Sequence, residues 1–535
     1  MTKSKINSIA LAAMLACSGW SCDADLLETV PNDRISSAIF WQTPNDALLA
    51  VNALYNDLEG VNLLSFDALT DIAHTNEPFD VQAYIEQGSY DALNNKIHST
   101  WANAYTGIAA ANFFLENVDK IAFADETLLK RYKAEARALR AYQYIRLAPL
   151  FGDVPLIRQT LTLEESRRVT REKAAAVWEF VDAELEEASA WLPYSDEYEA
   201  KDRGRISKGA ALGLKARAAL YAGSYRKAAE AANRIIADGK HALYPRYEKL
   251  FRYEAENNAE VLLDKQFISG SYTHNVFYLI GPYSQKNANS YYVPTKAAVD
   301  LYQTASGYDI TAAAGGYDAA HPYAGRDPRL RFSIFLDGDT LPNPSDNIFR
   351  PAPNSGSNDA IGKSYHNSTT GFNIKKYFNV EDYADINKSH INIILLRYAE
   401  VLLTYAEAKV ELNEIDESVY AAINLVRNGR DDVKLPDIPP DKTQAELKEI
   451  VRRERAVELA FEGLRLADIR RWRIAENVLP GKIYGITYVD DSGQTTVYEL
   501  AVTRAFNPGR DYLWPVPQKE RDLNPNLSQN AGWGE

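Results

Sequence analysis

Residues 447–472 constrain the fold more than any other stretch of the chain. Apolar side chains recur there at helical spacing, which predicts one amphipathic helix with the stripe Leu447, Ile450, Val451, Val457, Phe461, Leu464 and Trp472. Glu454, Glu458 and Glu462 follow at i, i+4 steps beside that stripe, where like charges repel unless cations separate them. Seven arginines in and just after the segment supply cations. We therefore expect a partly buried Glu–Arg–Asp network that includes Asp468.

Two interpretations of these carboxylates compete. They could act as a general acid and base, as paired carboxylates do in glycosidases. They could instead belong to an ion network that fixes how the helix packs on its neighbours. We favour the structural network because arginines are so numerous beside them, and such networks perturb carboxylates as readily as active sites do.

The first 21 residues have the pattern of an export signal. Two lysines precede an apolar run over 6–16, which is too short to span a bilayer. The pattern resembles a bacterial lipoprotein signal, which implies lipidation at Cys22, with Cys17 as a rival site. These are the only two cysteines, so we expect no disulfide framework and no cysteine-based metal site.

Composition narrows the possible partners. A net charge of −14 disfavours nucleic acid and anionic membrane surfaces. The apolar fraction of 46% is ordinary for a globular protein. Thirty-three tyrosines against two methionines is an unusual bias. Tyrosine combines a flat apolar face with a polar tip, which suits hydrated, polar ligands.

Three parts of the chain predict pairs of packed helices. Residues 206–238 form one pair, with small residues that allow close approach, and 394–427 form a second. A helix that we expect to end at Pro149, together with 172–192, gives a third. Their lengths are typical of tetratricopeptide-like repeats, which build a scaffold rather than a site.

Two stretches lack regular periodicity, 65–90 and 244–392. Within the second, Val261–Ile268 and Leu330–Leu336 predict short strands, and Val293–Tyr302 predicts a short helix with a proline at its start. A long irregular region inside a compact protein is usually functional or disordered, and the aromatic content argues against disorder. The Pro- and Asn-rich tail should lie as an extended strip over the helices.

Four motifs resemble the SusD/RagB family of outer-membrane nutrient-binding lipoproteins, and they occur in the family's order. They are CDADLLETVPNDRIS, FGDVPL, ERAVELAFEGLRLADIRRW and LWPVPQKERDLNPNLSQNAGW. The resemblance implies a mainly α fold, a tetratricopeptide-like helical-repeat scaffold with long irregular loops and a few short strands. It also implies a signal peptide over 1–21, an N-terminal helical part over 22–240 and a C-terminal part over 241–535, packed as one unit.

The resemblance implies a binding function without catalysis. Family members are cell-surface lipoproteins that capture a nutrient, commonly a glycan, and deliver it to a SusC-like TonB-dependent outer-membrane transporter. We therefore expect a lipid anchor on the outer membrane, facing the exterior, a glycan ligand, and neither cofactor, metal nor nucleic acid. Asp23 and Asp25 beside Cys22 resemble a surface-export signal.

We expect the ligand site where the two irregular stretches meet, because sugar rings pair with flat aromatic faces flanked by polar groups. The candidate ligand-binding residues are His74, Asn76, Phe79, Tyr84, Tyr272, Tyr278, Tyr283, Tyr291 and Tyr292. For each single aromatic, core packing is the alternative.

The sequence marks no catalytic arrangement. It contains no His-Glu-x-x-His or Gly-x-Ser-x-Gly motif, and Gly362-Lys363-Ser364 lacks the first glycine and the preceding strand of a phosphate loop. Asp337-Gly338-Asp339 could ligate calcium, but we favour an acidic turn. The alternative functions are peptide capture, as in the RagB branch, an extracellular glycan hydrolase, and a structural helical-repeat adaptor.

Overall fold

The computed structural model of the protein describes residues 40–534. The helices are, in chain order, α1 (Pro44–Leu54), α2 (Leu64–Asp67), α3 (Val81–Glu86), α4 (Asn95–Asn117), α5 (Glu126–Phe151), α6 (Leu163–Ser166), α7 (Ala174–Trp191), α8 (Lys208–Tyr221), α9 (Tyr225–Asp238), α10 (Val276–Ile280), α11 (Lys296–Leu301), α12 (Arg329–Ser333), α13 (Tyr398–Glu411), α14 (Glu417–Asn428), α15 (Gln444–Glu458), α16 (Arg465–Arg471), α17 (Ala475–Val478) and α18 (Gln518–Leu523). The strands are β1 (Ala73–Thr75), β2 (Val261–Lys265), β3 (Tyr292–Pro294), β4 (Ile334–Phe335), β5 (Asn373–Ile374), β6 (Ile393–Arg397), β7 (Gly481–Val489) and β8 (Thr495–Arg504). The signal peptide and the lipidation candidates Cys17 and Cys22 lie outside the described residues.

The long helices form one continuous stack, which confirms the prediction of a mainly α scaffold. Helix α4 packs on α5, α5 on α7, α7 on α8, α8 on α9, α9 on α13, and α13 on both α14 and α15. Small residues bring neighbours close: a Cβ atom on Gly213 of α8 would lie 2.6 Å from the Leu396 side chain of β6. Helix α5 continues two residues past Pro149 and ends where Gly152 adopts φ 69°, so the predicted end at the proline is wrong. A proline in the last turn removes only one helical hydrogen bond.

The predicted single helix over 447–472 is two helices. Helix α15 ends at Glu458, and α16 begins at Arg465. In the intervening turn Phe461 has φ 62° and Gly463 has φ 77°, both left-handed. The Gly463 N–H donates to the buried Asp67 carboxylate at 2.8 Å. A tertiary contact with α2 therefore overrides the helical pattern.

Two short elements of the irregular region also differ from their predictions. Residues 330–336 were expected to form one strand, but α12 occupies most of them and only the two-residue β4 follows. The Arg329 backbone N–H donates to Asp327 at 3.0 Å, which favours a helical turn there. Pro294 ends strand β3 instead of starting a helix, and Thr295 caps α11 by accepting from the Ala298 N–H at 3.2 Å.

The strands form four antiparallel pairs within the described residues, β1 with β3, β2 with β6, β4 with β5, and β7 with β8. The predicted strand near Val261 is present as β2, whereas the sequence interpretation did not include the β7–β8 hairpin. The tail is largely extended, as expected, apart from α18. Its Trp514 is fully buried, and the backbone N–H of Trp514 donates to the Leu150 carbonyl at 2.7 Å. No helix within 40–534 is long and apolar enough to cross a bilayer.

Candidate functional site

The two irregular stretches of the sequence meet at the β1–β3 pair. Thr75 lies opposite Tyr292, and the Asn76 N–H donates to the Tyr291 carbonyl at 2.9 Å. The loop after β1 therefore lies against the segment that leads into β3.

Another loop of the second irregular stretch is joined to this junction by the buried side chain of Asn76. Its Nδ2 donates to the Asn367 carbonyl at 2.9 Å, and its Oδ1 accepts from the Thr369 N–H at 2.9 Å. A single amide thus holds the 364–369 loop against the loop after β1.

A chain of hydrogen bonds continues across this junction. Asn289 Nδ2 donates to Glu77 Oε1 at 3.3 Å, so its Oδ1 faces His366. His366 Nδ1 donates to that oxygen, which fixes the tautomer of the ring. The ring of Tyr283 lies almost parallel to that of His366, with 6.1 Å between the ring centroids. The ring of Tyr365 also contacts that of His366, with 3.7 Å between centroids.

Asp80 ties the other end of the loop to the same segment. Its Oδ1 accepts from Gln82 N and Nε2 at 2.8 and 3.0 Å, and its Oδ2 accepts from the Tyr291 hydroxyl. Burial and this hydrogen bond raise the pKa of Tyr291 well above its usual value, so the phenol stays protonated and donates.

In the chain, Phe79 lies between Glu77 and Asp80, which both accept hydrogen bonds from other segments. Phe79 is nevertheless 87% exposed, and Tyr365 is 75% exposed. Burying such a ring would contribute roughly 1.5–3 kcal/mol, so exposing it from a tethered loop has a cost. We call Phe79, Tyr283, Tyr291, Tyr365 and His366, which lie on these hydrogen-bonded loops, the aromatic platform.

The predicted residues fall into three groups. Phe79, Tyr283 and Tyr291 belong to the aromatic platform, and Tyr84 is exposed on α3, the helix that follows Phe79. The platform thus contains exposed residues from both predicted stretches.

Three predicted residues are buried, which rules out direct ligand contact in this conformation. His74 Nδ1 lies 2.8 Å from Glu86, a carboxylate that also pairs with Arg504. Asn76 braces the loops as described, and Tyr292 accepts a hydrogen bond from Gln82 at 3.4 Å. The correction is that all three side chains are buried and bonded within the chain.

Tyr272 and Tyr278 lie in other surroundings. The Tyr272 ring stacks on Phe267, with 5.0 Å between centroids and 18° between planes, in a cluster that includes His274. Tyr278 packs partly buried against the core, and its N–H donates to the Ile386 carbonyl. The Tyr278 carbonyl accepts from the backbone N–H of Asn289 at 2.7 Å, so Tyr278 supports the platform through its backbone, not through its ring.

Sequence reasoning missed Tyr365 and His366. Both lie in SYHNSTT, 364–370, where an aromatic pair is surrounded by turn-forming polar residues. That local pattern was the available signal, because binding residues lie disproportionately on loops positioned by a rigid scaffold.

The glutamates of α15 and the following turn form a buried ion network. It contains five carboxylates and five cations: Glu260, Asp327, Glu454, Glu458, Glu462, Arg329, Lys376, Arg397, Arg427 and Arg430. Glu458 alone contacts three guanidinium groups, with N–O distances of 2.7 to 2.9 Å. This pairing supports the structural interpretation of the carboxylates.

The electrostatics of the ion network follow from this pairing. Burial alone would raise the pKa of Glu458, but the three arginines outweigh it and hold that pKa well below its usual range. Burial lowers the pKa of Lys376 to about 8 despite its contact with Glu462. Asp468 was expected in the same network but pairs instead with Arg455 and Arg471 in an adjacent cluster.

No three His, Cys, Asp or Glu side chains between residues 40 and 534 are grouped to hold a metal ion. Asp339 pairs with Arg331 at 2.7 Å and accepts from the Leu336 N–H at 3.2 Å. These contacts fit the acidic-turn interpretation of 337–339.

Both sequence and fold have counterparts among known proteins. A family model described as "SusD family" matches residues 254–533. A second, described as "Starch-binding associating with outer membrane", matches residues 47–220.

The similar proteins match over nearly their whole length. SusD-like protein P2 of Formosa agariphila is 25% identical, over 99% of this chain and 99% of that protein. The crystal structure of a SusD-like carbohydrate binding protein from Bacteroides fragilis has a TM-score of 0.83 and 30% identity, and the match covers 91% of this chain and 100% of that one. Another SusD-like protein from Bacteroides fragilis gives 0.80 and 25%, over 94% and 100%. These matches confirm the predicted SusD-like fold class.

Proposed function

We propose that this chain, which belongs to the SusD family, is an outer-membrane lipoprotein that binds a glycan on the aromatic platform and passes it unaltered to a transporter. The observation that carries the proposal is the exposure of Phe79 and Tyr365 on loops whose backbones are hydrogen-bonded in place. The carbohydrate-binding description of the similar Bacteroides fragilis protein supports the ligand class.

The chemistry of the platform suits a sugar. The C–H face of a pyranose ring packs on an aromatic ring, while its hydroxyl groups need hydrogen-bonding partners at the rim. Phe79 and Tyr365 supply exposed rings, and Glu77, which is half-buried in the same loop as Phe79, supplies a polar group. Because hydrogen bonds already hold the loops, little conformational entropy should be lost on binding.

The location of the site is tested by Phe79→Ala and Tyr283→Ala in affinity gels containing amylopectin, laminarin or galactomannan. Each change should abolish retardation in the polysaccharide that retards the unchanged protein, with an unaltered unfolding midpoint. Trp191→Ala is the matched control, because Trp191 is an aromatic residue half-exposed on the helical stack. Normal retardation of both platform variants would place the site elsewhere.

Binding without hydrolysis is part of the proposal. At the platform, Glu77 and Asp80 accept hydrogen bonds from Asn289, Gln82 and Tyr291, which suits fixed acceptors. Incubation with the same polysaccharides should give retardation and no released oligosaccharide. Soluble products would favour the hydrolase alternative, and retention of peptides alone would favour the RagB-like one.

The anchor and the partner extend the proposal beyond the described residues. We expect Cys22 to carry the lipid, so Cys22→Ala should release the protein from the membrane fraction and abolish palmitate labelling, whereas Cys17→Ala should not. A tethered binder cannot move its cargo across a membrane, so a channel is needed. Affinity purification from solubilised outer membranes should recover a SusC-like TonB-dependent transporter, and its absence would contradict the delivery step.

The helical stack offers a surface for that transporter. A groove of about 500 Å³ lies between α4 and α18, lined mainly by apolar side chains. Leu163 and Leu523 are both largely exposed beside it. Exposed apolar surface of this kind marks interaction sites in many proteins, which supports docking through the helical face while the platform stays free.

A further inference from the structure

Two carboxylates flank Phe79 in the chain. Glu77 is half-buried and accepts from Asn289, which also bonds to His366, and Asp80 accepts three hydrogen bonds, one of them from Tyr291. A ligand that lies on Phe79 therefore has an acid on each side of that residue in the chain.

The lysines of the same segments bond elsewhere. Lys286 Nζ donates to the Ala384 carbonyl at 2.9 Å and lies 4.7 Å over the ring of Tyr383. Lys363 Nζ donates to the Gly356 carbonyl at 3.1 Å. Both ammonium groups are thus held by backbone carbonyls of other loops, and neither pairs with Glu77 or Asp80.

Two further acids lie near the segment that carries Tyr283. Asp359 is buried and accepts from the N–H of Ser284, the residue after Tyr283, at 2.8 Å. Asp346 accepts from Asn358 Nδ2 at 2.9 Å in the neighbouring turn. Burial raises the pKa of Asp359 to about 6, so it is ionised in mildly alkaline solution.

These carboxylates discriminate by both hydrogen bonding and charge. A carboxylate only accepts hydrogen bonds, so it pairs with sugar hydroxyl groups, which donate. Uronate and sulfate groups only accept, and they carry the same sign of charge. Like charges brought together across a binding surface weaken binding and suppress the wrong partner.

We propose that the aromatic platform selects neutral glycans and rejects those that carry uronate or sulfate groups, with Glu77 as the main discriminating residue. The inference rests on the proposed function and specifies its ligand class. Asp80 contributes charge as well, but its three hydrogen bonds hold the loop, so Glu77 is the cleaner position to change.

The test compares matched probes at pH 8. Amylopectin, laminarin and galactomannan are each used beside their carboxymethyl derivatives, so the members of a pair differ in charge on the same backbone. At low salt, the unchanged protein should bind the neutral member of the retained pair at least tenfold more tightly. The difference should shrink at 0.3 M salt because screening weakens interactions between exposed charges.

Glu77→Gln should reduce that preference several-fold, mainly by strengthening binding of the carboxymethyl member, because it removes the negative charge while the amide oxygen of glutamine still accepts from Asn289. Glu164→Gln is the matched control, since Glu164 is an exposed acid on α6. Equal binding of both members, or an unchanged preference in Glu77→Gln, would overturn the charge selection while leaving glycan binding intact. Retention of no polysaccharide would overturn the proposed function, and with it this inference.

Discussion

At the end of α15, Glu458 is buried among three arginines, whereas at the aromatic platform the ring of Phe79 projects into solvent. Charged groups usually lie outside a protein and large aromatic rings inside it. Both regions reverse that rule, and both are tied down by long-range hydrogen bonds. They differ in whether the unusual group has a partner within the chain.

The difference separates structural from functional residues. Each carboxylate of the ion network has a cation of the same chain as its partner. The platform rings of Phe79 and Tyr365 have much of their surface in solvent, so a second molecule can still contact them. Paired charges therefore indicate the structural scaffold, and exposed aromatic surface supports the proposed binding site.

The largest expected effect comes from breaking the ion network. Glu458→Ala leaves Arg329, Arg397 and Arg430 buried without their shared partner, which should cost about 3–5 kcal/mol in the free energy of unfolding. Urea denaturation followed by circular dichroism measures it. Glu164→Ala removes one member of an exposed ion pair with Arg168 and should change little. Comparable losses in both variants would contradict the distinction between buried and exposed pairs.

The turn that carries Glu462 gives the next largest effect. Gly463→Ala should destabilise the protein by about 2–3 kcal/mol, because φ is 77° and the new Cβ would meet the Leu63 carbonyl oxygen at 3.0 Å. Gly223→Ala is the matched control, since φ there is 71° but no heavy atom lies within 4 Å. It should cost about 1 kcal/mol. Equal costs would show that the contact with Leu63 is unimportant.

The unfolding free energy should fall moderately as the pH is lowered through the acidic range. Burial opposes ionisation of Glu462, but Arg397 and Lys376 outweigh it and lower its pKa in the folded protein. Its contribution is therefore complete above pH of about 4.5 and is lost as pH falls towards the lower folded pKa, by about 1.4 kcal/mol per pH unit. Glu462→Gln should flatten the decline in unfolding free energy between pH 5 and pH 3. An unchanged slope would mean that Glu462 does not carry this linkage.

The smallest effect is expected at the platform. Tyr291→Phe removes the hydroxyl that donates to Asp80, which should lower stability by about 1 kcal/mol. Polysaccharide affinity should fall several-fold because the loop that carries Phe79 loses one tether. Titration calorimetry and urea denaturation separate the two quantities. A large stability loss with unchanged affinity would assign Tyr291 to the frame.

Much of the frame could be predicted from the sequence. Helical periodicity and small residues identified the stack, and the excess of arginine beside Glu454, Glu458 and Glu462 indicated a buried ion network. The break between α15 and α16 could not be predicted, because it depends on the Gly463 N–H meeting Asp67, which lies almost 400 residues earlier in the chain.

The platform was predictable in outline and not in detail. The two irregular stretches were correctly expected to meet, since their tyrosines needed a common surface. The burial of His74 depends on Glu86 and Arg504, and no local pattern in the sequence shows that contact. Tyr365 and His366 were missed because their loop reaches the junction through long-range contacts with the side chains of Asn76 and Asn289.

The contact between Asp67 and Gly463 has a practical consequence for protein engineering. Asp67 ends α2, just ahead of the loop that carries Phe79, and Gly463 lies in the turn that leaves the ion network. Transfer of the three loops that carry the aromatic platform into another member of the family should therefore include the Asp67–Gly463 hydrogen bond. Without it, the transferred loops would keep their residues but would not be held in the same position on the helical scaffold.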